Sequence, residues 1–390
     1  MVLIITPYLK DAIVGQVTLL KRFMAHFPDD SCVALTRYGH GSEQMKAGGA
    51  TCVNRNFELW FPRALGSRWG LDNLFWGLSF LMVLVYAVVL GLKLRPYKIR
   101  KIFLPTHTSL DIVLAFLLSR VLVVTCVVLN MDSAWDSLNG ACWVEKSVTQ
   151  KLLPPLLKKA QKLFVLNDFM KKTHVAKYGR AVDVLYPPLD LNGYDAIRPF
   201  SIKKLDEFCI LYTGSIYSAQ RDTMENLAKA LGLIGNKKLV CYVCGLNGAF
   251  EKKVEAMGLA DYFRFLQLDQ EEAIGAQKEA DLLFLGLAFE SNIQPVINTA
   301  FPAKLVEYLA SGRPVLACVP EQSFVSFYLS TYFLGEVLNS NRPDCIAHTL
   351  QTIKTGKNDF SAERQNARKI VAEQHNEGKL SQQLWQALAA

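Results

Sequence analysis

Apolar residues in this chain occur in two alternating patterns, short unbroken runs and longer stretches with helical spacing. Val2–Thr6, Val33–Thr36 and Phe208–Tyr212 are unbroken runs with the length of buried parallel strands. The intervening stretches place apolar residues three and four positions apart, which is the period of a helix with one buried face. Strands and helices that alternate in this way predict doubly wound α/β domains with parallel sheets.

The length of the chain favours two such domains rather than one. It has 390 residues, of which 51% are hydrophobic, enough to fill two cores. Pro187, Pro188 and the irregular sequence as far as Pro199 predict a linker between the domains. The predicted division is an N-terminal domain, a C-terminal domain and a final pair of polar helices: residues 1–200, 201–365 and 366–390.

The stretch Phe301–Pro320 predicts a short helix that leads directly into a strand. Pro302 suits a helix start, because its missing N–H would have no intrahelical partner there. Gly312 suits the end of that helix, and the apolar run Pro314–Val319 then reads as a buried strand. The start of this helix presents unpaired N–H groups and a partial positive charge, which together favour phosphate.

Two charged residues in this helix extend the same chemistry. Lys304 in the first turn adds a cation, and Glu307 one turn later is placed to accept hydrogen bonds from sugar hydroxyls. An ordinary surface helix with a Lys–Glu pair is the alternative that the spacing leaves open.

A second candidate phosphate site follows the first strand of the C-terminal domain. Gly214 would let the backbone approach a ligand closely, and Ser215 could donate a hydrogen bond to a phosphate oxygen. Arg221, near the start of the next helix, has the planar fork that suits a bidentate phosphate contact. Gly245 lies at the end of the next strand, and so at the same edge of the sheet.

The string PAKLVEYLASGRPVLA at 302–317 resembles the donor-site signature of bacterial GT-B glycosyltransferases of the GT4 type. That resemblance implies a GT-B fold, two Rossmann-like doubly wound parallel-sheet domains facing a central cleft, with the helical tail crossing back to the N-terminal domain. GT4-like chains often carry a second Glu where this sequence has Thr299, so the match is incomplete there. The donor-binding residues that it implies are Gly214, Ser215, Arg221, Gly245, Pro302, Ala303, Lys304, Leu305 and Glu307.

The same resemblance implies an activity. It predicts transfer of a sugar from a nucleotide diphosphate sugar, with UDP as the expected nucleotide, retention of anomeric configuration, and neither metal nor cofactor. The C-terminal domain would bind the donor and the N-terminal domain the acceptor, in biosynthesis of a cell-surface polysaccharide or similar glycan. Two alternatives are a catalytically silent scaffold of GT-B type and a GT-B-type UDP-sugar epimerase.

Candidate residues on the acceptor side come from the N-terminal domain. His107 and Asp132 each follow a predicted strand, at the edge where doubly wound folds bind ligands, and both are candidates for the catalytic residue. GT4-like chains place an acceptor-side glycine loop near Gly15 and Gln16, although their usual double glycine reads Val14-Gly15 here.

Leu74–Leu92 contains no charged residue and is long enough to cross a membrane. The predicted strands on its two sides belong to one sheet, however, so we expect a helix that lies on or dips into the bilayer surface. Trp76 and the basic residues after this stretch would anchor it to anionic lipid, and an ordinary core helix is the alternative. Lys151–Lys162 is either a second membrane contact or a helix broken at Pro154. The basic residues are Lys93, Arg95, Lys98, Arg100 and Lys101.

Charge and cysteine content complete the sequence-based picture. The net charge of +8 favours anionic partners, and the basic residues lie beside apolar helices rather than among the exposed aromatics of a nucleic-acid site. Nine scattered cysteines favour a reducing compartment. We therefore expect a cytoplasmic protein, peripherally bound to the membrane, with a lipid-linked saccharide acceptor and no nucleic-acid partner.

Overall fold

The computed structural model divides the chain into two compact units. The first comprises Met1–Pro188 and Glu377–Ala390, and the second comprises Leu189–Asn376. The division at Pro188 falls inside the linker that the prolines predict. The structure describes residues 1–6, 15–36, 44–47, 50–56, 72–106, 108–131 and 142–390.

The first unit contains an eight-stranded sheet flanked by helices. Its strands are β1 (Val2–Ile5), β2 (Cys32–Thr36), β3 (Gln44–Ala47), β4 (Ala50–Asn56), β5 (Lys101–Pro105), β6 (Thr125–Asn130), β7 (Lys162–Val165) and β8 (Asp183–Val184). Its order is β3-β4-β2-β1-β5-β6-β7-β8, and every neighbouring pair is parallel except the hairpin of β3 and β4. The helices within this part of the chain are α1 (Gly15–Phe23), α2 (Asp72–Leu94), α3 (Ser109–Val121), α4 (Trp143–Lys159) and α5 (Asp168–Tyr178).

The second unit contains a six-stranded sheet in which every pair is parallel. Its strands are β9 (Phe208–Thr213), β10 (Leu239–Cys244), β11 (Phe263–Leu266), β12 (Leu282–Gly286), β13 (Val315–Cys318) and β14 (Glu336–Leu338), in the order β11-β10-β9-β12-β13-β14. Its helices are α6 (Leu191–Ala196), α7 (Arg221–Ile234), α8 (Gly248–Ala256), α9 (Gln270–Glu279), α10 (Gln294–Thr299), α11 (Ala303–Ala310), α12 (Phe324–Tyr332), α13 (Pro343–Lys354) and α14 (Ser361–Gln374). Both sheets are doubly wound, as the alternating pattern predicts.

The final helix, α15 (Glu377–Ala389), belongs to the first unit. Leu384 is fully buried there, and the ring of Trp385 lies 5.0 Å from that of Phe27. Lys101 is buried beside this helix and donates from Nζ to the Ala387 carbonyl at 3.0 Å. Its position in the sequence places Lys101 with the lipid-facing basic cluster, but in the structure it instead satisfies a carbonyl at the end of α15.

Helix α2 presents two different faces. Val83, Ala87, Leu90 and Leu94 are buried in the core of the first unit. The opposite face exposes large apolar side chains over an arc of about 120° at the helical repeat. These exposed residues are Leu74, Leu78, Leu81, Met82, Val85, Val88, Val89 and Leu92.

This exposure is not that of an ordinary core helix. Trp76–Tyr97 is long and apolar enough to cross a membrane by length and composition, and only 29% of that window is buried. Helix α4 differs, because it runs continuously through Pro154 and buries Leu153, Leu156 and Leu157. The break predicted at Pro154 is therefore wrong, and the leucines of this segment pack inward.

Candidate functional site

Two glycine turns lie side by side at the carboxyl edge of the second sheet. Thr213 and Cys244, the last residues of β9 and β10, are register partners. The Gly214 N–H donates to the Cys244 carbonyl at 2.8 Å, and the φ of Gly214 is +101°. Gly245 has φ +133°, and a Cβ there would lie 3.1 Å from the Gly214 oxygen. Both positions therefore require glycine, by conformation and by space.

Asn247 and Tyr212 fix the course of the first turn. Asn247 is buried, donates from Nδ2 to the Gly214 oxygen at 3.0 Å, and accepts from the Ile216 N–H at 2.7 Å. The Tyr212 hydroxyl donates to the Ser215 carbonyl at 2.9 Å. Ser215 is exposed, and within the described residues neither its N–H nor its hydroxyl has a partner. The turn thus presents both Ser215 donors to a ligand.

Helix α11 begins beside this turn. The helix begins at Ala303, one residue after the predicted first residue, and Pro302 is its N-cap with extended backbone. Tyr308 accepts from the Thr213 N–H at 2.8 Å. Among the described residues, no group accepts from the Ala303 or Lys304 N–H. Leu305 differs from its predicted donor-binding role, because its side chain is fully buried and its N–H donates to the Pro302 carbonyl at 2.9 Å. The structure gives Leu305 a packing role.

Lys304 joins the helix start to the glycine turn. Its Nζ lies 3.9 Å from the centre of the Tyr212 ring, and a Cβ on Gly214 would be 3.0 Å from that nitrogen. No carboxylate of the described chain lies within 4.0 Å of Nζ. Burial lowers the pKa of Lys304 to about 7, while the charge of Glu307 acts in the opposite direction. The site therefore holds a cation without a close counter-ion.

Glu307 points to a different set of residues. Its Oε2 accepts from Gln277 Nε2 at 3.2 Å, and Gln277 Oε1 accepts from the Tyr194 hydroxyl at 3.2 Å. Helical spacing alone leaves this carboxylate available to sugar hydroxyls, but one of its oxygens is already engaged by Gln277. Thr299 lies at the end of α10 and donates from its hydroxyl to the Pro295 carbonyl at 3.1 Å. Of the two acidic positions expected in GT4-like chains, one is a threonine here and the other, Glu307, already accepts a hydrogen bond.

Arg221 is the first residue of α7. Its side chain is exposed and makes no hydrogen bond or ion pair with another described residue. The adjacent Asp222 accepts from the N–H groups of Phe289 and Glu290 at 2.9 and 3.1 Å. Asp222 therefore fixes the loop after β12, while the Arg221 guanidinium remains available to an anion.

The structure describes only two of the four candidate residues in the first unit. His107 and Asp132 lie outside the described residues, and Gly15 and Gln16 form the start of α1.

A buried polar chain does occupy the carboxyl edge of the first sheet. The Thr106 hydroxyl donates to Asn130 Oδ1 at 2.7 Å, and Asn130 Nδ2 lies 2.5 Å from His174 Nε2. His174 Nδ1 lies 2.8 Å from the Met170 carbonyl, which can only accept, so this nitrogen carries the proton. Apart from Asn130 at the end of an apolar strand, the sequence contains no local signal of this network.

The geometry of the second unit is that of an anion site. The free donors of the turn after β9 and of the start of α11 lie beside an ammonium group that has no carboxylate of the described residues within 4.0 Å. Such an arrangement suits the charges of a diphosphate, because oriented N–H groups and a cation act together. The structure brings Gly214, Gly245 and Lys304 together and leaves Ser215 beside them.

Solved structures share the fold of this chain over almost its whole length. It is similar to sucrose-phosphate synthase from Thermosynechococcus elongatus, with a TM-score of 0.72, 13% identity, and coverage of 99% of this chain and 97% of that chain. It is also similar to HepE of Anabaena in complex with UDP-glucose, with a TM-score of 0.70, 14% identity, and coverage of 100% and 99%. WaaG, a glycosyltransferase involved in lipopolysaccharide biosynthesis, gives a TM-score of 0.62, 14% identity, and 98% coverage of each chain.

These likenesses define the class of fold. No protein-family model and no curated protein matches the chain by sequence. The chain has the GT-B fold, with two Rossmann-like doubly wound domains, and that prediction from the sequence is confirmed.

Proposed function

We propose that this protein is a GT-B glycosyltransferase of the GT4-like type that uses a nucleotide diphosphate sugar, with UDP as the nucleotide. The observation that carries the proposal is the meeting of the Gly214–Ser215 turn with Lys304 at the start of α11. HepE, which shares the fold, is solved with UDP-glucose, and this supports UDP as the carrier.

The charges of the site explain how a sugar could be released. As the bond to the sugar breaks, negative charge grows on the departing diphosphate. The Lys304 ammonium, the Arg221 guanidinium and the N–H groups of α11 would stabilise that charge without a metal. A helix start stabilises such an anion by about 0.3–2 kcal/mol, and each charge-assisted hydrogen bond stabilises it by about 1.5–3 kcal/mol. The resemblance to GT4-like enzymes supports transfer with retention of configuration.

The apolar face of α2 supports a membrane-borne acceptor. A soluble acceptor would give no reason for eight large apolar side chains on one exposed helix face. Lys93, Arg95, Lys98 and Arg100 follow that face and are all exposed. We propose a lipid-linked saccharide as acceptor, in the biosynthesis of a cell-surface glycan, with the protein on the cytoplasmic surface of an anionic membrane.

Thermal unfolding with UDP, GDP, ADP and dTDP tests the donor assignment. A nucleotide at one hundred times its Kd stabilises the folded form by about 2.7 kcal/mol. For a unit of this size, that corresponds to a rise in Tm of roughly 5–10 °C. We expect the largest rise with UDP; no rise with any of the four nucleotides would contradict the donor site.

Product analysis then separates the remaining alternatives. Transfer to a lipid-linked acceptor in vesicles, or slow hydrolysis of the donor, supports the transferase. A changed sugar on UDP without any acceptor indicates an epimerase. Of the two alternatives, the structure favours the catalytically silent scaffold, because Glu307 is engaged by Gln277 and its acidic partner is replaced by Thr299. Nucleotide binding without turnover would identify such a scaffold.

Arg221→Ala is expected to weaken binding of a UDP-sugar about threefold to tenfold, because one exposed charge-assisted contact is worth about 1 kcal/mol. The Tm of this variant without ligand should not change, since the side chain is exposed and makes no hydrogen bond or ion pair with a described residue. Calorimetric titration measures the affinity, and Lys252→Ala, at another exposed cation of the same unit, is the matched control. Equal affinity in both variants would remove Arg221 from the site.

A further inference from the structure

The apolar face of α2 continues onto a second segment, the turn between α3 and β6. Gly91 of α2 packs directly on Val121, and a Cβ at Gly91 would overlap the Val121 Cγ1 atom. On the helical repeat, Gly91 borders the exposed face on the side of Val88. Val121 is 42% exposed and Val123 is 88% exposed. The apolar surface is therefore built from two segments that are distant in sequence.

Val123 has an unusual backbone conformation. Its φ is +55°, in the left-handed region that β-branched residues rarely adopt. The Val124 N–H donates to the Ser119 carbonyl at 3.0 Å, so the chain turns sharply at the helix end, where glycine is the usual residue. With its side chain almost wholly exposed, Val123 gains little from packing inside the first unit. A valine here is therefore unfavourable for the isolated fold.

Positive charge borders this surface. Five exposed basic residues lie along the end of α2 and beside the turn, and no carboxylate among the described residues is within 4.0 Å of any of them. At the other end of α2, Val144 donates its N–H to Asn73 Oδ1 at 3.0 Å, which places the 73% exposed Trp143 beside the helix start. An apolar centre with a cationic border and an aromatic end complements an anionic lipid surface. The basic residues are Lys93, Arg95, Lys98, Arg100 and Arg120.

We infer that the turn at Val121–Val123 is a second membrane anchor, which joins the apolar face of α2 in one docking surface for an anionic bilayer. The inference rests on the proposed membrane acceptor. Helix α2 then lies along the interface and does not cross it. Its other face is buried in the first unit, and β4 and β5 on its two sides belong to one sheet. The turn would insert beside the helix and fix the rotation of the first unit on the membrane.

Vesicle sedimentation with the full chain tests this inference, using phosphatidylcholine vesicles with and without phosphatidylglycerol. Val123→Gly should bind anionic vesicles about fivefold more weakly, because an exposed valine side chain no longer enters the lipid. The same substitution should leave Tm unchanged or raise it, because glycine adopts this φ without strain. Val123→Asn, which also tolerates the left-handed region, should behave alike.

Two further variants and one control complete the experiment. The double variant Val121→Ser with Val123→Ser should bind more weakly than Val123→Gly alone. Leu233→Ser, at an exposed leucine of the second unit, should bind like the wild type. Replacing Lys93, Arg95, Lys98 and Arg100 by Ser should abolish the preference for phosphatidylglycerol.

Several outcomes would overturn the inference. One is that both Val123 variants bind vesicles as the wild type does, and another is that the wild type does not bind anionic vesicles. A third is that alkaline treatment does not extract the protein from membranes, as expected for a helix that spans the bilayer. Nucleotide binding in solution is measured separately. A failed vesicle experiment with intact UDP binding therefore rejects the docking surface and leaves the sugar-transfer proposal standing.

Discussion

Lys304→Met is expected to weaken binding of a UDP-sugar by about 30- to 150-fold, which corresponds to about 2–3 kcal/mol for a charge-assisted contact. The reason is the position of the ammonium, over the Tyr212 ring and against Gly214, with no carboxylate of the described chain within 4.0 Å. A diphosphate would supply the missing counter-ion. Calorimetric titration at about pH 6.5 measures the loss, and Lys252→Met is the control at an exposed lysine.

The pH dependence of the same binding step gives an independent test. Burial lowers the pKa of Lys304 to about 7, so the empty site loses its proton as the pH rises through neutrality. A bound diphosphate favours the protonated form, and binding must then take up a proton. We expect wild-type affinity to fall about tenfold from about pH 6 to about pH 8. The Lys304→Met and Lys304→Arg variants should lack this dependence. An equal pH slope in the methionine variant would assign the proton to another group.

Stability should change in the opposite direction to binding. The folded pKa of Lys304 lies below its ordinary value of 10.5, so burying the charged form opposes folding. This cost is fully present below about pH 7 and disappears as the pH rises towards the unfolded value. Near pH 6, Lys304→Met should therefore have a higher Tm than the wild type. Its unfolding free energy should be larger by about 2 kcal/mol. The difference should shrink as the pH is raised.

The sequence predicts those parts of the site that depend on local pattern. The helix start at Pro302, the helix end before Gly312 and the strand that follows are all signalled by residues within a few positions of one another. The approach of Gly214 to Lys304 follows from topology, because parallel strands present their carboxyl ends at one edge of the sheet. The hydrogen-bond partners of individual side chains cannot be predicted in this way, since they depend on rotamers and on neighbours far away in sequence.

Three residues illustrate that limit. Asn247 reads as an ordinary turn residue, and nothing local shows that it would hold the backbone on both sides of Ser215. Tyr308 reads as part of an apolar helix face; its signal was the hydroxyl, because a buried tyrosine needs a polar partner. Glu307 was paired with Lys304 by helical spacing, whereas Gln277, thirty positions earlier, engages its carboxylate.

Unbroken apolar sequence also hides boundaries. The run from Val121 to Leu129 predicts one strand, but Val121 ends a helix and β6 begins at Thr125. Because every residue in the run is compatible with burial, hydrophobicity alone does not show where the chain turns. The turn falls at Val123, a residue type that disfavours the conformation it adopts there, so propensity points away from the observed boundary. Such conflicts between local preference and structure are expected at sites that serve a partner.

Gly214→Ala is expected to reduce UDP-sugar affinity more than tenfold, with a loss of about 1–3 kcal/mol in unfolding free energy. The stability loss comes from its φ of +101°, which an alanine adopts only with strain. The affinity loss has a separate cause, because the new Cβ would stand 3.0 Å from Lys304 Nζ and 3.4 Å from Cε. The flexible lysine end would yield and leave the position where the ammonium meets a diphosphate.

Gly235→Ala separates these two effects. Gly235 has φ +65°, and a Cβ there would meet no atom within 4 Å, so the substitution adds backbone strain without displacing a neighbour. We expect it to cost about 1 kcal/mol of stability and to leave UDP-sugar affinity unchanged. Denaturant unfolding and calorimetric titration of both variants give the comparison. If Gly214→Ala loses stability but binds the donor as well as Gly235→Ala does, Lys304 does not act from beside Gly214, and the diphosphate must bind elsewhere.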